Sequence, residues 1–257
     1  MSKVRALILR GPGTNCDAET AFAFQEAGAL TSLVHIGELI RAKDRLSHYQ
    51  IVIIPGGFTY GDDISAGKVL ANELRLRLHD DIEKFVADGG LIMGICNGFQ
   101  VLVKAGILPG PIKSAQSDIT LAANDSGKFE CRWVHLEVDE KGPCVFTKGI
   151  KHMYLPSAHA EGKVIAKPEL LKSLNVVLRY TDENRNSSSG YPHNPNGSID
   201  NIAGICDVTG RIFALMPHPE RHIRKTQHPQ WMRHGLDAGY GDGFQIFINA
   251  VNWARSL

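Results

Sequence analysis

The sequence predicts an α/β fold in which a largely parallel open sheet is flanked by helices and antiparallel strands are added in the second half. In the first half, short apolar runs alternate with segments of helical spacing. The runs are apolar throughout, which is typical of parallel strands buried on both faces. In the second half, short strand candidates follow one another with little helical sequence between them, and this favours antiparallel pairing. At 257 residues the chain suits a single domain over 1–257.

The elements of the first half follow in order. Strands are predicted at Val4 to Leu9, Leu30 to Ile36, Ile51 to Ile54 and Leu91 to Ile95, and helices at Asp17 to Ala27, Gly37 to Arg41, Lys68 to His79 and Asp80 to Asp88. Ligands of parallel sheets bind at the carboxyl ends of the strands. We therefore expect Gly11, Gly56-Gly57 and Cys96, which follow three of these strands, to lie on one edge of the sheet.

The second half is less regular. Strand candidates are Trp133 to Val138, Met153 to Leu155, Lys163 to Ala166 and Val176 to Tyr180, followed by a hairpin of Ile202 to Val208 and Arg211 to Met216 and a helix over Gly243 to Ala254. The polar, turn-rich stretch Thr181 to Ser198 predicts a surface loop and hairpin.

Composition excludes several classes of protein. The formal net charge is +1, without a long basic run, so neither a nucleic-acid nor a membrane partner is indicated. The five cysteines are scattered and contain no Cys-x-x-Cys pair, which favours a reducing cytoplasm and argues against a disulfide framework or zinc site. We expect a cytoplasmic protein without a bound metal.

Cys96 is the candidate nucleophile. It lies between Gly94 and Gly98, after an apolar run and before a helical segment, in the form of the Gly-x-Ser-x-Gly nucleophile elbow with cysteine in place of serine. At such a corner the thiol meets the N-terminus of a helix, whose free N–H groups favour a thiolate and a developing oxyanion. The alternative from this stretch alone is a buried structural cysteine.

His218 and Glu220 are the candidate base and its orienting carboxylate. Two prolines flank His218 and exclude a helix, so Glu220, two residues on, can turn to the same side. A proline-rich surface turn is the alternative. Zinc binding by His218 and His222 is disfavoured, because Pro219 breaks the helix that this spacing needs.

Three further residues are candidates for substrate binding. The amide of Asn97 at the start of the helix and the Gly56-Gly57 turn can supply oxyanion donors, and Gln100 can hydrogen-bond a polar substrate. A phosphate-binding loop is the competing interpretation of Gly56-Gly57, but neither a Walker lysine nor a Gly-x-Gly-x-x-Gly run follows.

These segments resemble the class I, triad-type glutamine amidotransferases, and within them the glutaminase components of phosphoribosylformylglycinamidine synthases. The similar segments are Gly94-Ile95-Cys96-Asn97-Gly98-Phe99-Gln100, Met216-Pro217-His218-Pro219-Glu220-Arg221, Gly56-Gly57-Phe58-Thr59-Tyr60-Gly61-Asp62, Gly11-Pro12-Gly13-Thr14-Asn15-Cys16-Asp17 and Asn194-Pro195-Asn196-Gly197-Ser198. Ile64-Ser65, where the family pattern has Leu-Arg, and Ala160, where it has glycine, depart from the family and bear on contacts to a partner.

The resemblance implies a flavodoxin-like sheet and a catalytic triad of Cys96, His218 and Glu220. It implies oxyanion donors at Gly57 and Asn97, with Gln100 near the bound glutamine. The reaction would be hydrolysis of L-glutamine to glutamate and ammonia through a γ-glutamyl thioester.

The resemblance also implies a place in de novo purine biosynthesis. The ammonia would pass to a synthase subunit that converts formylglycinamide ribonucleotide to formylglycinamidine ribonucleotide. No cofactor is expected in this chain; ATP and magnesium belong on the synthase large subunit, and a small accessory subunit is a further component that the sequence leaves open.

Two other functions compete with this one. A cysteine peptidase or hydrolase on the same elbow would need an open peptide cleft and activity without a partner. A non-catalytic regulatory subunit would not need all three triad residues. If the chain does serve a synthase, Thr59 to Ser65 and His159 to Gly162 are expected at the mouth of the pocket, facing the partner.

Overall fold

The computed structural model describes residues 3–42, 44–110, 118–186, 190–233 and 239–257. The strands are β1 Arg5–Arg10, β2 Leu30–His35, β3 Ile51–Ile54, β4 Leu91–Ile95, β5 Ile119–Ala123, β6 Glu130–Val138, β7 His152–His159, β8 Glu161–Ala166, β9 Asn175–Thr181, β10 Ile202–Cys206 and β11 Ile212–Leu215. The helices are α1 Asp17–Glu26, α2 Ile36–Ile40, α3 Lys68–Arg77, α4 His79–Ala87, α5 Asn97–Lys104, α6 Pro168–Leu171 and α7 Phe244–Ala254.

The main sheet has nine strands in the order β2-β1-β3-β4-β11-β10-β9-β6-β7. The four neighbouring pairs from β2 to β11 are parallel, and the four neighbouring pairs from β11 to β7 are antiparallel. The remaining strands, β5 and β8, form a separate antiparallel pair. The predicted fold class, a largely parallel sheet with added antiparallel strands, is confirmed.

The parallel half brings several strand ends to one edge. Ile54 of β3 is level with Gly94 of β4, and Ile95 of β4 is level with Leu215 of β11. Every residue of β3 and β4 is buried, so both faces of the sheet are covered there. The segments that follow these strands therefore meet at a single edge.

Helices cover this half of the sheet in packed groups. Helix α1 packs against α7, with the rings of Phe24 and Phe247 in an edge-to-face contact at 5.0 Å. Helix α5 packs against β3, β4 and α3. None of the helices in the described ranges has both the length and the apolar character needed to cross a bilayer.

Strand β5 was not predicted from the sequence. It has only five residues, and its partner is distant in the chain, since Ile119 pairs with Ala166 of β8. Strands β6 and β7 are also longer than predicted, beginning at Glu130 and His152. The ends of these strands are determined by antiparallel pairing with segments that are distant in the chain. The local spacing of apolar residues contains no information about that pairing.

The predicted surface loop over Thr181 to Ser198 is wrong in its last part. Asn194, Asn196 and Ser198 are 7%, 0% and 4% exposed, so this polar turn lies inside the protein. Ser187 to Ser189 of the same predicted loop fall outside the described residues.

Hydrogen bonds explain how a polar turn can be buried. Asn196 Nδ2 donates to the Tyr180 hydroxyl at 3.2 Å, and Asn194 Oδ1 accepts from the Ser198 amide at 3.2 Å. Ser198 Oγ accepts from the Val164 amide at 2.9 Å. The turn thus satisfies its own polar groups and fastens β8 to β9.

Candidate active site

Cys96 occupies a strained corner between β4 and α5. Its φ of 52° and ψ of −103° are unusual for a non-glycine residue. A Cβ on Gly98 would lie 1.9 Å from the Ile54 carbonyl oxygen, and one on Gly94 would lie 2.6 Å from the Gly98 carbonyl oxygen. Glycine at these two positions lets the helix begin directly against the sheet, as the elbow pattern predicted.

Neighbouring parallel strands bring His218 to the same edge. The Cys96 amide donates to the Leu215 carbonyl at 2.8 Å, and the chain then passes through Met216 and Pro217 to His218. The His218 amide donates to the Pro156 carbonyl of β7 at 2.7 Å. Because β7 is four places from β11 in the sheet order, the antiparallel half curls back over the site.

His218 and Glu220 form a buried pair. Nδ1 of His218 lies 2.6 Å from Oε1 of Glu220, and the two residues are 2% and 1% exposed. Burial by itself lowers the pKa of His218, but the negative charges of Glu220 and Cys96 outweigh it and raise that pKa well above its usual value. The raised pKa makes His218 a stronger base for the proton of a neighbouring thiol.

The Cys96 thiol is not yet bonded to its base. Within the described residues, Sγ donates to the Ala158 carbonyl at 3.6 Å, and His218 Nε2 has no hydrogen-bond partner. Catalytic hydrogen bonds are often long before substrate binds. The free Nε2 is the acceptor that the thiol proton requires.

A cleft of about 250 Å³ contains both side chains. It is lined by Asn15, Cys16, Gly57, Phe58, Asp62, Ala66, Cys96, Gln100, Phe129, Ala158, His159, Ala160, Glu161, His218 and Arg221.

The two candidate oxyanion donors have free amides at this edge. Among the described residues, no acceptor is found for the N–H of Gly57 or of Asn97. Gly57 has a φ of +141°, and a Cβ there would lie 2.8 Å from the Asn15 amide nitrogen. The loop after β1 holds this turn, because the Phe58 amide donates to the Gly13 carbonyl at 3.1 Å.

Gln100 is buried, and its amide already has protein partners. Its Oε1 accepts from Asn97 Nδ2 at 3.0 Å, and its Nε2 donates to the Glu161 carbonyl. Asn97 Nδ2 also donates to Asp62 Oδ1, and Asn97 Oδ1 accepts from the Thr59 amide, both at 3.3 Å. Gln100 lines the cleft, and it also joins α5 to the first residue of β8.

Lys104 strengthens this connection. Its side chain is 11% exposed, and Nζ donates to the Ala66 carbonyl at 2.6 Å and to Ser65 Oγ at 3.1 Å. Nζ also lies 3.7 Å from Glu161 Oε2. Burial lowers the pKa of Lys104, and burial raises the pKa of nearby Asp62. Half-buried charged side chains, Lys104 and Glu161 among them, therefore connect the two segments that were predicted at the mouth of the pocket.

Two other histidines have different surroundings. His159 Nδ1 lies 3.1 Å from Asn124 Oδ1, and burial together with the charge of His218 lowers the pKa of His159 to about 4. His222 Nδ1 lies 2.9 Å from the Tyr154 carbonyl. His222 is thus bonded to the backbone of β7 through Nδ1.

Several cleft residues were given no role from the sequence, among them Asn15, Cys16, Phe129 and Arg221. Arg221 Nη2 donates to Cys16 Sγ at 3.0 Å, and the Cys16 thiol donates to Asn15 Oδ1 at 3.2 Å. Asn15 and Cys16 follow β1, and this position could have indicated that they line the site, because ligands bind at the carboxyl ends of the strands in a parallel sheet. Phe129, just before β6, gave no such signal.

Comparison with known proteins agrees with this geometry. The family model described as a CobB/CobQ-like glutamine amidotransferase domain matches residues 3–254. The chain is 58% identical over 257 residues to the phosphoribosylformylglycinamidine synthase subunit PurQ of Dehalococcoides mccartyi, covering 100% of both chains. It is 42% identical to the PurQ subunit of Methanococcus maripaludis strain S2, covering 97% of each. The solved structure of PurLQS from Thermotoga maritima contains a chain similar to this one, with a TM-score of 0.76, 34% identity and coverage of 98% and 99%.

The fold and the site define a glutamine amidotransferase. Within that class, the chain belongs to the PurQ family of phosphoribosylformylglycinamidine synthase subunits. The family predicted from the sequence is confirmed.

Proposed function

We propose that this chain is a glutaminase in which Cys96 is the nucleophile, His218 the base and Glu220 the orienting carboxylate. The observation that carries the proposal is the buried 2.6 Å contact between His218 and Glu220 in the cleft that also holds the strained Cys96. A regulatory subunit that only binds its ligand does not require this arrangement, and no observation favours a peptidase.

The reaction follows from the positions of these groups. His218 Nε2 takes the Cys96 proton, and the thiolate attacks the side-chain amide carbon of glutamine. The free amides of Gly57 and Asn97 stabilise the oxyanion. When the C–N bond breaks, His218 returns the proton to the departing ammonia. Water then attacks the γ-glutamyl thioester, with His218 again as base, and releases glutamate and the free thiol.

Within this proposal, Glu220 acts through His218. Its contact with Nδ1 fixes the tautomer that leaves Nε2 free and stabilises the cation formed during each proton transfer.

The use of the ammonia is the second part of the proposal. We infer that the chain acts in an assembly like the Thermotoga PurLQS complex, beside a synthase large subunit and a small accessory subunit. That partner would bind ATP and magnesium and would use the ammonia to form formylglycinamidine ribonucleotide. Free cysteines in the described structure support a cytoplasmic setting, and the family match over residues 3–254 supports a single domain.

The mouth of the cleft offers a surface for that partner. The Phe58 and Phe129 rings, 47% and 50% exposed, lie 6.4 Å apart, and Ile64 nearby in the chain is 72% exposed. Exposed apolar side chains around a catalytic opening favour a partner that seals it. A seal would keep ammonia from bulk water, where protonation would remove its nucleophilicity.

Glutamate release by the purified chain, with and without the synthase subunit, ATP and formylglycinamide ribonucleotide, tests the coupling. We expect low activity alone and a rise of severalfold or more in the complete mixture. Full activity alone, unchanged by the partner, would favour an independent amidase.

Two variants examine how the partner acts. Asp62→Asn should weaken the stimulation more than the basal turnover, because Asp62 connects the mouth of the cleft to Asn97. Asp63→Asn, at an exposed neighbouring site, is the matched control. Equal effects of the two substitutions would contradict this connection.

Covalent labelling tests the nucleophile directly. A glutamine-analogue electrophile should modify Cys96 and spare the exposed Cys131. A label found chiefly on another cysteine would exclude the assignment.

A further inference from the structure

We propose that Lys104 is a positioning residue that transmits the docking of a partner, at the mouth of the cleft, to the N-terminal end of helix α5. It does so by holding the mouth loop, residues 59–66, against the helix. The support of the loop follows from the contacts of Lys104 alone. The transmission rests on the proposed function, in which a synthase subunit stimulates the glutaminase.

The mouth loop has a strained backbone. Tyr60 and Asp62 have φ values of 59° and 55°, in the left-handed region that residues other than glycine rarely adopt. Such conformations persist only when the surrounding structure holds them in place. Ile64, near the tip of the loop, is 72% exposed, so packing supports the tip little. The support must therefore come from the parts of the loop that contact α5.

Lys104 fixes the far end of the mouth loop. Its Nζ donates to the Ala66 carbonyl at 2.6 Å and to Ser65 Oγ at 3.1 Å. Both bonds are shorter than the two 3.3 Å bonds that the Asn97 side chain makes with the near part of the loop. Because the donor is a cation, each is about twice as strong as a bond between neutral groups.

The environment of Lys104 strengthens these contacts. Its side chain is 11% exposed, so water and salt screen its charge little. It is the last residue of α5, where the carbonyl end of the helix favours a cation. Nζ also lies 3.7 Å from Glu161 Oε2. One lysine thus joins both the mouth loop and the start of β8 to α5.

Helix α5 connects this lysine to the chemistry. The helix begins at Asn97, whose amide is the proposed oxyanion donor, and Gln100 on the same helix lines the cleft. A short helix moves as one rigid element, so a displacement that reaches Lys104 also reaches these two residues. A partner that presses on the exposed tip therefore shifts the oxyanion donor. Without Lys104 the far end of the loop would move alone.

Amide hydrogen exchange of the full-length chain, without a partner, tests the support. Gly61 N–H donates to the Phe58 carbonyl at 2.8 Å, and Gly67 N–H donates to Asp62 Oδ1 at 3.3 Å. In Lys104→Met, which keeps an unbranched side chain but removes the charge, both amides should exchange at least about tenfold faster, as expected when a hydrogen bond to a charged group is lost. Lys172→Met, at an exposed site, is the matched control and should exchange like the wild type. Unchanged exchange in Lys104→Met would overturn the proposal.

Glutamate release with and without the synthase subunit, ATP and formylglycinamide ribonucleotide tests the transmission. In Lys104→Met the stimulation by the partner should fall about 2- to 30-fold, the range for residues that couple two sites, and turnover of the chain alone should change less. Lys104→Arg keeps the charge and the donors and should restore most of the stimulation, which a general loss of stability would not explain. Faster exchange combined with wild-type stimulation in Lys104→Met would refute the transmission.

If Lys104→Met does not fold, Ser65→Ala gives the same decision, because it removes one of the bonds to Lys104. It should accelerate exchange of the same two amides to a smaller degree, and unchanged exchange would overturn the support of the loop. A wild-type chain that releases no glutamate, alone or in the complete mixture, would refute the proposed function. The exchange measurement would still decide whether Lys104 holds the loop.

Discussion

Gly98→Ala is the most demanding test of the elbow. The added Cβ would lie 1.9 Å from the Ile54 carbonyl oxygen and 3.2 Å from Ile54 Cβ. Real Cβ atoms essentially never approach another heavy atom closer than 3.0 Å. The start of α5 must therefore move away from β3 by about 1 Å, because a backbone carbonyl of a buried strand cannot yield as a side chain can.

The displacement sets the size of the effect. Helix α5 carries the Asn97 amide and adjoins Cys96, so the proposed oxyanion donor would move relative to the proposed nucleophile. A misplacement of about 1 Å can lower catalysis roughly 10²-fold. Overpacking of this kind typically destabilises a protein by about 1–3 kcal/mol. We expect both losses in Gly98→Ala.

Steady-state glutamate release in the complete mixture gives the turnover, and urea denaturation gives the free energy of unfolding. Gly190→Ala is the control, because a Cβ there meets no atom within 4 Å and the φ of Gly190 is not in the positive range. That substitution should stay within about 0.5 kcal/mol of the wild type. A Gly98→Ala protein with wild-type turnover and stability would refute the close approach of α5 to β3.

Three further predictions concern the dyad and the buried turn. His218→Ala should lower turnover by about 10²–10⁴-fold, and Glu220→Ala should lower it by less. If His218→Ala retained near wild-type turnover, another histidine, such as His159, would have to be the base. Because Glu220 raises the pKa of His218 and the base must be deprotonated to take the thiol proton, kcat/KM should rise as the pH rises through that pKa. In Glu220→Gln this rise should move to lower pH, and an unmoved profile would contradict the coupling. Asn196→Ala should destabilise the protein by about 1–3 kcal/mol in urea, because its buried partners lose their hydrogen bonds, whereas exposed Asn186→Ala should have little effect.

Much of the parallel half was predictable because its signals are local. Apolar runs and helical spacing located β1 to β4 and their helices, and the spacing of Gly94, Cys96 and Gly98 located the elbow. The pairing of His218 with Glu220 was also predictable, since the two residues are close in the chain. The segment between them was not predicted correctly, because Pro219–Arg221 forms a short 3₁₀ helix where the two prolines were expected to exclude a helix.

Only the tertiary structure decided what surrounds that pair. The return of β7 over the cleft, the contact of Cys16 with Arg221 and the burial of Asn196 all join residues that are distant in the chain. The engagement of Gln100 by Glu161 belongs to the same group. Residue type and periodicity report whether a side chain suits a helix, a strand or a turn, but a contact between distant segments depends on how the sheet twists and pairs. For this reason the candidate catalytic residues could be named from the sequence, whereas the network that holds them could not.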